Sequence, residues 1–202
     1  MPALPRLILA TRNPHKSAEI QAMLGDRFEV LDATRLPDLP EIAETGSTFL
    51  ENARLKAEGI SRSVEGWVLA DDSGLEVEAL GGAPGVWSSS FGGEEGNHAK
   101  NNARLVTEMA GQAARRACFR CTMVLAKDGI AQADFCGVVE GVITDSPRGA
   151  RGFGYDPLFI PEGYERTFAE LGDAVKNRLS HRARALAQAV AWLDCRIASR
   201  KK

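Results

Sequence analysis

The chain has 202 residues, of which 44% are hydrophobic, 26% charged and 6% aromatic, with a formal net charge of −2. A chain of this length buries roughly 70% of the surface its unfolded form exposes, which excludes a mini-protein that depends on disulfides or a structural metal. The near-neutral balance gives no long-range pull on a nucleic-acid backbone, and apolar runs as short as Leu7–Ala10 and Met123–Ala126 exclude a membrane-spanning helix of about 18 residues.

Leu7–Ala10 reads as a short buried strand running into Thr11-Arg12-Asn13-Pro14-His15-Lys16, where Asn13 is a helix N-cap, Pro14 the first helical residue and Gly25 the stop. Free N–H groups and the positive end of the helix dipole make such a turn an anion site. Lys16 in the first helical turn is electrostatically disfavoured by about 0.3–1 kcal/mol unless something negative is bound there. An exposed lysine on a well-capped helix suits the same residues. No G-x-x-x-x-G-K-S/T phosphate loop is present.

Thr48-x-x-Glu51 is a capping box that opens a second helix with the inner stripe Phe49, Ala53, Lys56 and Ile60. A lysine on that stripe needs a counter-charge, either a protein carboxylate such as Glu44 or a substrate phosphate, unless its stem snorkels to water. Trp67–Ala70 reads as a buried strand ending in a turn at Asp71-Asp72-Ser73-Gly74, with a half-exposed strand at LEVEAL beyond it. The two acids lie where open α/β sheets bind ligands, as metal ligands or a general base, although Asp-Ser-Gly also makes a plain Asx turn.

A glycine-rich turn follows at Gly81–Gly85, then a helix from Asn97 to Ala110, and strands at Ala117–Ala126 and Ile130–Ile143 joined as a hairpin by Lys127-Asp128-Gly129. Cys118 and Cys121, three apart on a strand, face opposite sides and suit neither a redox pair nor a zinc knuckle; four reduced, mostly buried cysteines are expected. Gly152-Phe153-Gly154-Tyr155-Asp156-Pro157 allows close backbone approach to a flat ligand with a ring to stack on it, and Lys176, His181 and Arg182 supply donors; a tight turn and a helix start fit equally. After a short strand at Leu158–Ile160, the chain ends in one helix with the stripe Leu179, Ala183, Leu186, Val190 and Leu193, and Arg196, Arg200, Lys201 and Lys202 read as a solvated face and tail. The element order predicts an α/β fold around a mixed sheet, without repeats or a linker. The N-terminal residues lack a signal-peptide core, so a cytoplasmic protein is expected.

An anion turn, an acidic pair, an inward lysine and an aromatic loop with basic donors are together the parts of a nucleoside triphosphate site. Five blocks carrying them, ATRNPHK at Ala10–Lys16, ETGSTFLENARLKA at Glu44–Ala57, ADDSGLEVEALGGAPGVWSS at Ala70–Ser89, RGFGYDPLF at Arg151–Phe159 and KNRLSHR at Lys176–Arg182, make the chain resemble the inosine triphosphate pyrophosphatase family nearly end to end. The resemblance implies one domain over residues 1–202, with two lobes, a long mixed sheet and a central substrate cleft, acting as a homodimer. It implies hydrolysis of ITP, dITP and XTP to the monophosphate and pyrophosphate with Mg²⁺.

By position, the turn Thr11, Arg12, Asn13, Pro14, His15 and Lys16, together with Lys56, would hold the triphosphate. Glu44, Asp71 and Asp72 would hold Mg²⁺, and Asp72 would be the general base. Ser73 would contact substrate, Phe153 would stack on the purine beside Gly154, Tyr155 and Asp156, and Lys176, His181 and Arg182 would read the base edge. A 6-keto oxygen accepts from Arg182 or His181, whereas the 6-amino group of adenine leaves those donors unpaired. Arg12, His15, Trp87, Phe91 and Val175 depart from the family's usual residues. A nucleotide-binding regulatory module without turnover is the competing reading, which the clustered acids Glu44, Asp71 and Asp72 oppose. An RNA-associated protein using the basic C-terminal helix is disfavoured by the net charge.

Overall fold

The computed structural model describes residues 4–36 and 38–199, and for 197–199 the backbone alone. The chain forms strand β1 (Arg6–Leu9), helix α1 (Pro14–Leu24), β2 (Glu29–Asp32), α2 (Phe49–Ser61), β3 (Trp67–Val77), α3 (His98–Glu108), β4 (Arg116–Lys127), β5 (Ile130–Ile143), β6 (Phe159–Pro161), α4 (Phe168–Leu171), α5 (Asp173–Leu179) and α6 (His181–Ser199). The sheet has six strands in the order β2-β1-β3-β4-β5-β6. β1 pairs in parallel with β2 and β3, while β6 runs antiparallel to β5, so the fold is the expected α/β class with a mixed sheet. Among the described residues, no helix is long and apolar enough to cross a membrane.

The chain divides into two compact units, one of residues 1–72, 121–137 and 182–202, the other of residues 73–120 and 138–181. In the first, strand alternation sorts side chains into two cores. Leu7, Leu9, Leu69, Cys121, Met123 and Leu125 pack with Ile20 and Leu24 of α1 and with Ala185, Leu186, Ala189, Val190 and Leu193 of α6. The intervening residues Ile8, Ala10, Val68, Ala70, Val124 and Ala126 pack with Ala53, Ala57 and Ile60 of α2. In the second unit, Leu75, Val77, Phe119, Val139 and Ile143 cluster with Leu105 of α3, Phe159 of β6 and Phe168 of α4.

Local chemistry accounts for the element ends. Asn13 caps α1, Pro14 opens it and Gly25 closes it; Thr48 and Glu51 form both halves of the capping box on α2. Asp128 and Gly129 both take positive φ, +54° and +78°, the geometry of a two-residue hairpin turn.

Three expectations are corrected. Asp71-Asp72-Ser73-Gly74 is not a turn: β3 runs unbroken through it to Val77, because Leu75 and Val77 on its far side are core residues. The C-terminal segment is two helices, since Ser180 is extended (ψ 163°) and leaves Leu179 at the end of α5. Of the four cysteines, all free, Cys121 is buried and Cys118 half-buried on β4, but Cys136 and Cys195 are exposed. Arg196 is exposed with its guanidinium over the Trp192 ring; Arg200, Lys201 and Lys202 lie outside the described residues.

Candidate active site

The first unit builds its polar group from the period of β3. Leu69 faces the α1 and α6 core and Ala70 the α2 core, so Asp71 and Asp72 continue onto opposite faces. On one face, Asp71 Oδ2 meets Lys16 Nζ at 3.1 Å and Arg182 Nη2 at 3.2 Å, while Nη1 of Arg182 donates to Glu19 of α1. On the other, Asp72 accepts from Asn52 Nδ2 at 3.1 Å and lies 3.9 Å from Lys56 Nζ, which donates to Glu44 Oε2 at 2.7 Å.

These surroundings set the two acids apart. Burial alone would push Asp71 up, but Lys16 and Arg182 more than offset it and hold the carboxyl well below the ordinary carboxylate range. At Asp72, burial dominates over the pull of Lys56 and Lys16, and the Glu44 charge adds to it, so its pKa is raised. One acid stays charged and the other is tuned toward accepting a proton.

The turn ahead of α1 is ordered from within. Asn13 Oδ1 accepts from the N–H groups of His15 (3.0 Å) and Lys16 (3.3 Å), and Thr11 Oγ1 accepts from Asn13 N. Arg12 sends its guanidinium to the carbonyl of Leu39 (2.9 Å), and His15 is exposed.

In the second unit the loop of Phe153 is centred on Asp156, which is 1% exposed. Its Oδ2 accepts from the Phe153 N–H at 2.9 Å and from Lys176 Nζ at 2.5 Å, and the same ammonium lies 4.3 Å from the centroid of the Phe153 ring. Gly152 has φ +74°, and a Cβ there would stand 2.1 Å from Asp156 Oδ2, so the close turn requires glycine. Tyr155 donates its hydroxyl to the carbonyl of Ser88 (2.9 Å), and Gly154 offers its carbonyl to Asn102 Nδ2 (3.0 Å). His181 is buried and stacked on Phe119, with centroids 4.9 Å apart. Ser73 opens this unit as the next residue of β3, half-exposed.

The structure thus joins Lys16, Asp71 and Arg182 in one cluster, Glu44, Lys56 and Asp72 in a second, and Phe153, Asp156 and Lys176 in a third. Sequence reasoning missed Glu19, Asn52 and Asn102. The first two had a helical signal: Glu19 lies three residues after Lys16, and Asn52 four before Lys56, each on the same helix face as its lysine. Among the described residues, no three His, Cys, Asp or Glu side chains are grouped as a ready metal site. Glu44 and Asp72 nonetheless both face one ammonium, that of Lys56, and two hard oxygen donors that share one cation are of the type that suits a hard divalent ion.

The profile of the Ham1 family matches residues 7–192. The chain is 45% identical over 194 residues to the dITP/XTP pyrophosphatase of Bacillus licheniformis, covering 95% of this chain and 99% of that one. It is 47% identical over 188 residues to the dITP/XTP pyrophosphatase of Geobacter sulfurreducens, covering 91% and 94%. Among solved structures it resembles the Ham1 protein of Staphylococcus aureus, with a TM-score of 0.84 and 35% identity, and a HAM1 protein of Coxiella burnetii, with a TM-score of 0.84 and 38% identity; both alignments cover 95% of this chain and 99% of the other.

Proposed function

The chain belongs to the Ham1 family, and from that premise we propose that it is a nucleoside triphosphate pyrophosphatase that hydrolyses ITP, dITP and XTP to the monophosphate and pyrophosphate, removing non-standard purines from the nucleotide pool. The observation that carries the reading is the split environment of Asp71 and Asp72, one carboxylate fixed between Lys16 and Arg182 beside the capped turn of α1, the other paired with Asn52 and Lys56 and shifted upward by burial.

Thr11, Asn13, Pro14 and Lys16 order the turn that receives phosphates at the N-terminus of α1, and Lys56 adds a second ammonium. Arg12 and His15 flank that turn, Arg12 bracing it through Leu39. Asp72 takes a proton from water as its oxygen bonds to a phosphorus of the α–β bridge; the bridging P–O bond breaks, and Lys16 and Lys56 balance the charge of the departing group. Glu44 and Asp72 would hold Mg²⁺, which when bound supplies charge neutralisation on the phosphates, while Asp71, on the opposite face of β3, would reach the ion only by leaving Lys16 and Arg182. Ser73 contacts substrate. Phe153 stacks on the base, with Gly154, Tyr155 and Asp156 shaping its loop, and Lys176, His181 and Arg182 supply donors that favour a keto over an amino group at position 6. We place this activity in the cytoplasm, in a homodimer, on a small-molecule substrate rather than nucleic acid or membrane.

The deciding test is pyrophosphate release with Mg²⁺ from ITP, XTP, GTP and ATP in parallel, with pyrophosphate resolved from orthophosphate by chromatography. Fast pyrophosphate release from ITP and XTP alone is expected. Orthophosphate as the product would overturn the cleavage position, and no turnover on any of the four would favour a binding module.

A further inference from the structure

The loop that carries Phe153 is held by more than its own residues. Asp156 braces it from inside, through the Phe153 N–H and Lys176, and Tyr155 anchors it to Ser88. A third tie comes from α3, where Asn102 Nδ2 donates to the carbonyl of Gly154 at 3.0 Å. That carbonyl belongs to the residue between the stacking ring and Tyr155, at a glycine with φ +61°, so its direction sets the path of the loop on either side. The amide oxygen of Asn102 is buried and accepts no hydrogen bond among the described residues, so the Gly154 contact is what fixes the orientation of this amide.

The helix is well placed to act as a brace. Its neighbouring residue Asn101 accepts from the Gly92 N–H at 2.6 Å and donates to the Ser89 carbonyl at 2.9 Å, and His98, one turn before Asn102, brings its ring to 6.1 Å from that of Phe153. Neither Asn102 nor His98 lies in a motif with recognisable chemistry.

We propose that Asn102 is a positioning residue for base recognition: it holds the Gly154 carbonyl and through it the Phe153 ring, and so sets affinity for the purine without touching the triphosphate chemistry. This rests on the proposed function, deepening it at the base end of the substrate. The physical expectation is selective. A loop that loses one tie samples positions in which the ring is not ready to stack, so the cost falls on binding of the nucleoside part. The residues that hold phosphate and activate water are unaffected, so the rate at saturation changes little.

Two substitutions separate positioning from mere structural support. Asn102→Leu removes both the donor and the buried unpaired acceptor and improves helix propensity, so the melting temperature holds or rises while the tie is lost. Asn102→Asp keeps the shape and replaces the donor by an oxygen that repels the Gly154 carbonyl. For both, KM for ITP is expected to rise roughly 5- to 10-fold with kcat changed less than about 3-fold, the scale of one neutral hydrogen bond. The inhibition constant of inorganic tripolyphosphate, which has no base, is expected to stay unchanged. An unmoved KM for ITP in Asn102→Leu overturns the inference, as does a parallel rise in the tripolyphosphate constant. Wild-type protein measured alongside keeps the two ideas apart. If it turns ITP over and the variants match it, only the positioning role falls; if it does not turn ITP over, the functional reading falls and this inference with it.

Discussion

Asp72 shows how the chemistry of a single residue is set by what faces it. Its neighbour Asp71 has the same side chain and is also buried, yet the alternation of β3 delivers the two to different partners, Lys16 and Arg182 for one, Asn52 and Lys56 for the other. Because burial raises the pKa of Asp72 above that of an unfolded aspartate, its charged form is disfavoured in the native state, and its contribution to stability falls as pH rises through that interval. Asp72→Asn removes this cost and keeps the shape. Turnover is therefore expected to fall by roughly 10²- to 10⁴-fold while the melting temperature at neutral pH does not drop, a pairing read by pyrophosphate release and calorimetry on the same sample. A variant that retained turnover would move the base to another residue. Arg182 is the residue whose surroundings were least legible. The sequence places it after His181 and shows none of its protein partners, and the fold puts its guanidinium between Asp71 and Glu19, contacts 111 and 163 residues away along the chain. Separations of that size leave no local pattern to read.

At the scale of elements, local rules succeeded where the determinants are local and failed where the sheet decides. The caps of α1 and α2 and the Asp128-Gly129 hairpin turn are set by a few adjacent residues and are where the sequence puts them. Asp71-Asp72-Ser73-Gly74 has the composition of a turn, but β3 passes straight through, since neighbouring strands pair with it and helix cations answer both acids. The C-terminal stripe suggested one helix, and a single extended residue, Ser180, made two. On the proposed reading the cap of α1 would bear on function as well as folding. Asn13→Ala loses the acceptor for two N–H groups and is expected to cost about 1 kcal/mol of stability. Asn13→Asp caps equally well and its charge favours the helix dipole, so stability holds; but the same charge faces the incoming triphosphate, and KM for ITP should rise more than in Asn13→Ala. Thermal melts with KM measurements decide it. Equal KM values for the two variants would mean that the turn does not receive phosphate.

For the whole molecule, the proposed binding of a nucleotide has a thermodynamic consequence. A ligand that binds only the folded state stabilises it by RT ln(1 + [L]/Kd), so at about 100 Kd the gain is roughly 2.7 kcal/mol, or on the order of 5–10 °C in melting temperature for about 200 residues. Asp72→Asn allows ITP to be used without being consumed. On the proposed reading, with Mg²⁺ present, pyrophosphate would engage only the groups around Lys16 and Lys56, whereas ITP would also engage Phe153; base stacking contributes roughly 1–3 kcal/mol to affinity. At equal concentrations ITP should therefore shift the melting temperature further than pyrophosphate, and ITP further than ATP, whose 6-amino group leaves donors unpaired. Replacing Phe153 by Ala should reduce the ITP shift to that of pyrophosphate and leave the pyrophosphate shift where it was. If the two ligands shift the parent protein equally, the loop of Phe153 takes no part in binding, and the proposed stacking role of that ring falls.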